Sequence, residues 1–319
     1  MTKKNSRIIF ILICLAIISM VLYLFYDIDP EIIDFALKLR TPKLFAMILV
    51  AICISISTYV FQTLVSNYLI TPSLLGMNSL YLLVQTSIVF ILGSNHFLIT
   101  NKYMSFALVL IIMSIISIFL YSYLFKKTDY NIVYILLIGT VISTLFSSTQ
   151  QSMIRIMDPN EYDSLLKSLV ASFTNINSHL IIIGYILVAI ILFSYRKDFK
   201  NLNIMLLGKN ISINLGVDYD RVSQRLLMIV SILVAISTAL VGPVTFLGII
   251  VVSISRNIFN SYKYNILMLS STLLGIISIL ISQLITERIF TYSVPVSVFI
   301  NVFGGFYFLY LLVKDKGKM

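Results

Sequence analysis

Tryptophan is absent from this 319-residue chain, cysteine and histidine occur twice each, and Asp, Glu, Lys and Arg together make up only 11% of it. Each scarcity removes a class of protein. With 59% hydrophobic residues and so few charges, the chain cannot assemble the polar surface that a soluble domain of this size needs. Cys14 and Cys53 both fall inside apolar stretches, where they read as small packing residues rather than a disulfide or thiolate framework. His96 and His179 are far apart in sequence and have no carboxylate or thiol at ligand spacing, so no metal or other cofactor is expected. Lys209 follows Gly208 but lacks both the upstream glycine and the following Ser or Thr of a phosphate loop, so this chain should not hydrolyse nucleotide and is not read as an enzyme.

What the sequence does have is ten apolar stretches, at 8–26, 43–65, 74–93, 103–125, 132–153, 178–195, 226–241, 244–259, 265–285 and 294–313, with the charged residues expected between them. A hydrocarbon layer about 30 Å thick takes about 20 helical residues to cross, and backbone groups inside it must be satisfied within the segment. Stretches apolar on every side, such as Ile8 to Tyr26, exclude the alternation of a barrel strand. The reading is an all-α integral membrane protein forming a single transmembrane domain over 1–319. Its first stretch is taken as a retained anchor rather than a cleaved signal.

Basic residues set the expected orientation. With ten spans and an inside amino terminus, Lys38, Arg40, Lys43, Lys102, Arg155, Lys167 and Arg288 fall outside and the other sixteen of 23 fall inside, as does the carboxy terminus. The net charge of +10 is therefore read as an orientation signal, and no nucleic-acid partner is expected. No Asp, Glu, Lys or His sits near a predicted midplane, so proton-coupled transport lacks its chemistry and energy is expected from a partner.

Neutral polar residues inside the spans cluster. Ser55, Thr58, Gln62 and Ser66 share one face of the second span, and Thr140, Ser143 or Thr144, Ser147 and Gln151 form a comparable stripe on the fifth. They suit either a solute pathway or hydrogen-bonded contacts between helices. The loop 196–225 is long and basic. Its stretch Leu206 to Val217, broken by Gly208 and Gly216, suits a docking knob for a soluble partner or a surface held by anionic lipid.

Several motifs appear in an order that resembles the FecCD family, the permease subunits of siderophore and vitamin B12 ABC importers. Arg40-Thr41-Pro42-Lys43 resembles that family's Arg-x-Pro-Arg, and Gln62 with Asn67, Pro72, Leu75 and Gly76 resembles its Gln, Asn-Pro-Leu-Ala and Pro-x-x-Leu-Gly series. Gly208 to Val217, with Leu215-Gly216-Val217 at its close, resembles the loop that inserts into the ATPase. Gly242 to Val251 with Arg256 resembles the Gly-Pro-Ile-Gly-Phe-Val-Gly-Leu-Ile-Val signature and its closing Arg. Three departures stand out. Val252-Ser253 replaces Pro-His, Asn67-Tyr68-Leu69-Ile70 replaces Asn-Pro-Leu-Ala, and only Pro295 remains of a late Glu-x-Pro-x-Gly. With Phe35 to Arg40, Ala171 to Asn177 (Asn175 included) and Gly304-Gly305, these look like the catecholate-siderophore branch.

The resemblance implies the type II ABC importer permease architecture and a division of labour. A binding protein or lipoprotein would deliver ferric siderophore, two ATPase copies would drive transport, and a second homologous permease would complete a heterodimer in the cell membrane's lipid. It also implies roles: Ser55, Thr58, Gln62, Ser66, Asn67, Ser147 and Gln151 along the pathway; Gly208, Leu215, Gly216 and Val217 in the coupling loop; and Arg40, Lys43 and Arg288 facing the binding protein. The plain alternative for Arg40 and Lys43 is anchoring in lipid headgroups. A vitamin B12 or haem importer of the same build, a lipid-modifying enzyme around Asp158, Glu161 and Asp163, and an ATP-independent channel are the rivals.

Overall fold

The computed structural model describes residues 3–28, 31, 33–129, 131–174, 176–259 and 261–316; Asn175 lies outside them. Regular structure among the described residues is entirely helical. The helices are α1 (Lys3–Phe25), α2 (Ile33–Val65), α3 (Asn78–Leu92), α4 (Phe97–Thr100), α5 (Lys102–Lys127), α6 (Ile132–Ile156) and α7 (Pro159–Leu169). They continue with α8 (Ser178–Ser194), α9 (Arg196–Met205), α10 (Lys209–Asn214), α11 (Tyr219–Val241), α12 (Leu247–Ile258), α13 (Tyr264–Arg288) and α14 (Val296–Lys316). Helix starts are marked by Asn101, Asn131, Asp158, Asn177 and Asp218, whose side chains accept from first-turn amides. Asp158 caps α7 with Pro159 in its first turn, as its sequence suggests.

Among the described residues, seven helices are long and apolar enough to cross a bilayer, and α8 with α9, bent by 62° at their junction, makes an eighth candidate. The predicted stretch 244–259 is a shorter element. Its α12 has 12 residues, about 18 Å at the helical rise, and follows an extended segment from Gly242. The predicted stretches 226–241 and 244–259 already part at Gly242-Pro243, where α11 ends, but hydropathy counts apolar residues whether or not they are coiled and so did not show how short α12 is. Likewise a π-turn at Ser73–Met77 precedes α3, with Gly76 at φ +104° packed on the Ser143 backbone, a close approach in a conformation only glycine takes freely. In the other direction, α2 starts ten residues earlier than the predicted span and continues through Pro42.

Helix α2 is the central post. Beyond Leu44 nearly every side chain is buried, and α11, α13, α12, α8 and α1 pack around it. Small residues let these neighbours approach. A methyl at Gly248 would meet Thr58, one at Gly275 would meet Ser55 and Ala51, and one at Gly184 would meet Leu49. The outward surfaces of α1, α5 and α8 carry Phe10, Leu15, Ile111, Phe119, Ile186 and Phe193, an apolar exterior matched to lipid tails.

Candidate functional site

At the end expected to face outward, the three basic residues assigned to docking are all engaged within the chain. Arg40 Nη1 donates to the carbonyls of Tyr23, Leu24 and Tyr26, each at 3.1 Å, closing the carboxy end of α1. Arg288 holds Asp27 through its carboxylate at 2.6 Å and its carbonyl at 2.9 Å, and reaches the Tyr26 carbonyl as well. Lys43 lies 4.0 Å from the buried Glu287 carboxylate, which also accepts from Gln283 at 2.6 Å and from the Tyr23 hydroxyl at 3.3 Å. Tyr292 joins the group under Lys43, and burial with the Glu287 charge pushes its hydroxyl up to about 12. The cluster ties α1, α2 and α13 together.

Of the stripe on α2, Ser55 and Gln62 are fully buried and Thr58 nearly so. Ser55 Oγ donates to the Ser271 carbonyl at 3.1 Å, Thr58 lies against Gly248, and Gln62 Nε2 donates to the Tyr68 carbonyl at 2.6 Å. Within the chain Ser55 and Thr58 join α2 to neighbouring helices, and Gln62 ties α2 to the turn that follows it. Ser66, exposed at φ +54°, ends α2, and Asn67 accepts from the Leu69 amide. On α6 the stripe divides. Ser147 and Ser143 bond Ser79 of α3 at 3.1 and 2.9 Å, whereas Thr140, Thr144, Ser148 and Gln151 face outward with Ser152. Thr140, Thr144 and Ser152 donate back to carbonyls of their own helix, leaving an open polar face with few free donors.

Arg256 breaks the expectation that charge lies between the apolar stretches, for it sits in the last turn of α12. Its guanidinium is held against the rings of Tyr59 and Tyr68, which replace water as its neighbours, and its Nε and Nη2 are buried without an acceptor among the described residues. Its match to a signature's closing Arg was legible in sequence; the aromatic seat was not.

The other end carries an elbow. Helix α9 buries Phe199, Leu202 and Met205, and Asp198 pairs with Arg225 of α11 at 3.0 Å. Burial pushes the Asp198 carboxyl up and Arg225 pulls it back down. Gly208 (φ +94°) and Gly216 (φ +84°) bracket α10, and both face open space. Ser212 donates to the carbonyls of Ile204 and Gly208, locking α10 onto α9. Leu207, Ile211, Ile213 and Leu215 are left half exposed or more, and Val217 turns inward. Lys209 pairs with Asp129 and Asp220, bracing the elbow to the turn after α5.

No group of three or more His, Cys, Asp or Glu side chains able to hold a metal occurs among the described residues. Lipid-facing helices, a half-open polar face and an exposed apolar elbow define a polytopic membrane permease subunit. The chain belongs to the FecCD transport family, whose model matches residues 5–314. It is 40% identical over 316 residues to the petrobactin import system permease protein YclO of Bacillus subtilis, covering 98% of this chain and 99% of that one. It is 32% identical to the permease protein FatC of the petrobactin import system of Bacillus anthracis, covering 99% and 91%. In fold it is similar to a metal-chelate type ABC transporter in an inward-facing conformation, with a TM-score of 0.80 at 21% identity over 97% of this chain and 99% of that one.

Proposed function

We propose that this chain is one permease half of an ABC importer for a ferric siderophore of the catecholate class, with petrobactin the first candidate because two close relatives carry that name. The observation that carries the reading is the elbow: four half-exposed apolar side chains on and beside a short helix that Ser212 holds at a fixed angle between two glycines suit a plug for a groove on a separate ATPase. Two ATPase copies, one per permease, would drive rigid rocking of the halves. The open face of α6, with Thr140, Thr144, Ser148 and Gln151, would meet a second homologous permease across the cargo route, joined by the α2 residues Ser66 and Asn67 near its inner mouth. A surface whose hydroxyls are already satisfied grips a bulky polar cargo weakly, which favours release. A binding protein would dock on the opposite face, where Arg40, Lys43 and Arg288 serve as supports for the docking surface; the amino and carboxy termini and the 196–225 segment would then lie inside.

The test is uptake of radiolabelled ferric petrobactin by vesicles holding this chain, its partner permease, the ATPase and the binding protein. ATP-dependent uptake is expected, with Ile211→Glu/Ile213→Glu abolishing ATPase co-purification while membrane insertion persists. Uptake that continues without ATPase, or an elbow variant that still retains the ATPase, would overturn the reading.

A further inference from the structure

Helix α3 has two polar faces, and only one of them is accounted for. Ser79 turns toward α6, whereas Tyr81 and Gln85 turn away from it into a cavity of about 460 Å³ between α3, α5, α8 and α11. That volume lies in the range of small-molecule sites. Gln85 is only 8% exposed, yet its amide makes no hydrogen bond among the described residues. Gln85 lines the cavity wall, so its amide is open to whatever enters.

The one side-chain charge in the wall among the described residues is positive. Lys102 lines the cavity with no acidic partner among the described residues, and no Asp or Glu is in the wall. Lys102 opens α5 and Asn177 caps α8, so the amino ends of two long helices face the same space, opposed by the carboxy end of α11 at Ala239 to Gly242. Ser105 and Thr174 add hydroxyls, and Phe106, Val109 and Leu180 supply an apolar floor.

We propose that this cavity binds a small amphiphilic anion, a carboxylate or phosphate head on a short apolar body, at a site separated by α3 from the open face of α6. The head would meet Lys102 and the Gln85 amide, and the body would lie on the Phe106 side. Such a head comes either from a soluble molecule or from an anionic lipid.

The full-length chain in phosphatidylcholine nanodiscs is titrated with octanoate and octyl phosphate while its thermal unfolding is followed; octanol and octyltrimethylammonium are the controls. Both anions are expected to raise Tm and the controls to leave it unchanged. Lys102→Gln and Gln85→Leu should each weaken the apparent affinity roughly tenfold, the worth of one charge-assisted hydrogen bond. Lys102→Gln, at an exposed position, keeps the test valid should Gln85→Leu misfold. In phosphatidylglycerol nanodiscs, loss of the octanoate shift assigns the site to a lipid headgroup, and its survival assigns it to a soluble anion. Absence of any anion shift, equal shifts from the controls, or shifts undiminished in Lys102→Gln would overturn the proposal.

Discussion

The guanidinium carbon of Arg256 lies 4.2 Å from the centroid of the Tyr68 ring, a contact that fastens the segment after α2 to the last turn of α12. Tyr59 stands behind it at 5.0 Å, and two guanidinium nitrogens have no acceptor among the described residues, so the aromatic faces are the neighbours that hold this charge. Tyr68→Ala should therefore destabilise the chain by about 1–2 kcal/mol, the range for a partly desolvated cation–π contact, while Tyr68→Phe should be close to neutral. Denaturant titration in mild detergent separates the two; equal losses would mean the hydroxyl, not the ring, matters.

Gly248 is a second point of close approach. A Cβ there would lie 2.1 Å from Thr58 Oγ1 and 3.0 Å from its Cβ, so α12 would be pushed off α2. Gly248→Ala should cost about 1–3 kcal/mol, as overpacking does. Thr58→Ala removes the nearer contact and should recover part of the loss in a double-mutant cycle measured by thermal unfolding.

Lys43 and Glu287 make a different test, because the carboxylate is the more buried partner. Lys43→Met strips the cation and leaves a desolvated acid, at a cost of about 1–3 kcal/mol. Lys43→Met/Glu287→Gln should regain most of it, since Gln283 and Tyr23 remain as neighbours of a neutral amide. Failure of the double variant to recover in a melting experiment would locate the effect elsewhere.

The Asp198–Arg225 pair predicts a pH dependence. Burial raises the Asp198 carboxyl and Arg225 opposes that rise, so Arg225→Gln lifts the folded-state value further. An acid whose folded value is raised adds stability at low pH and loses it as pH climbs through that value. Arg225→Gln should thus match the parent chain near pH 4, around the ordinary carboxylate value, and fall progressively below it toward pH 7, as read by Tm across the range. A deficit constant over that interval would contradict this.

Substitution in the elbow separates folding from coupling. Gly216 has positive φ and open surroundings, so Gly216→Ala strains only the backbone, by about 1 kcal/mol. Membrane yield should be nearly unchanged, and ATPase co-purification on an affinity column should drop because Leu215 is re-aimed.

Long apolar runs were readable because hydrophobicity is a bulk property: the starts of α5, α6 and α8 fall within a residue of their predicted stretches. Discontinuities were read unevenly: the predicted stretches part at Gly242-Pro243, where α11 ends, whereas a start at Lys43 missed the helix that runs through Pro42. Of the α2 stripe, Ser55, Thr58 and Gln62 lie buried within the helix while Ser66 falls beyond its end, and the companions of Ser55 and Thr58, the Ser271 carbonyl and Gly248, are more than 180 residues distant along the chain. Arg40 and Arg288 were legible as cations flanking the apolar stretches. That they clasp the carbonyls ending α1 was not, because a backbone acceptor leaves no mark on composition.

Helix α2, enclosed on all sides and cross-bonded through Ser55 and Gln62, has no internal joint beyond Leu44. A helix unbroken along its buried length would tip as a whole rather than bend, so under the proposed coupling a stroke at the elbow would be felt at the opposite rim.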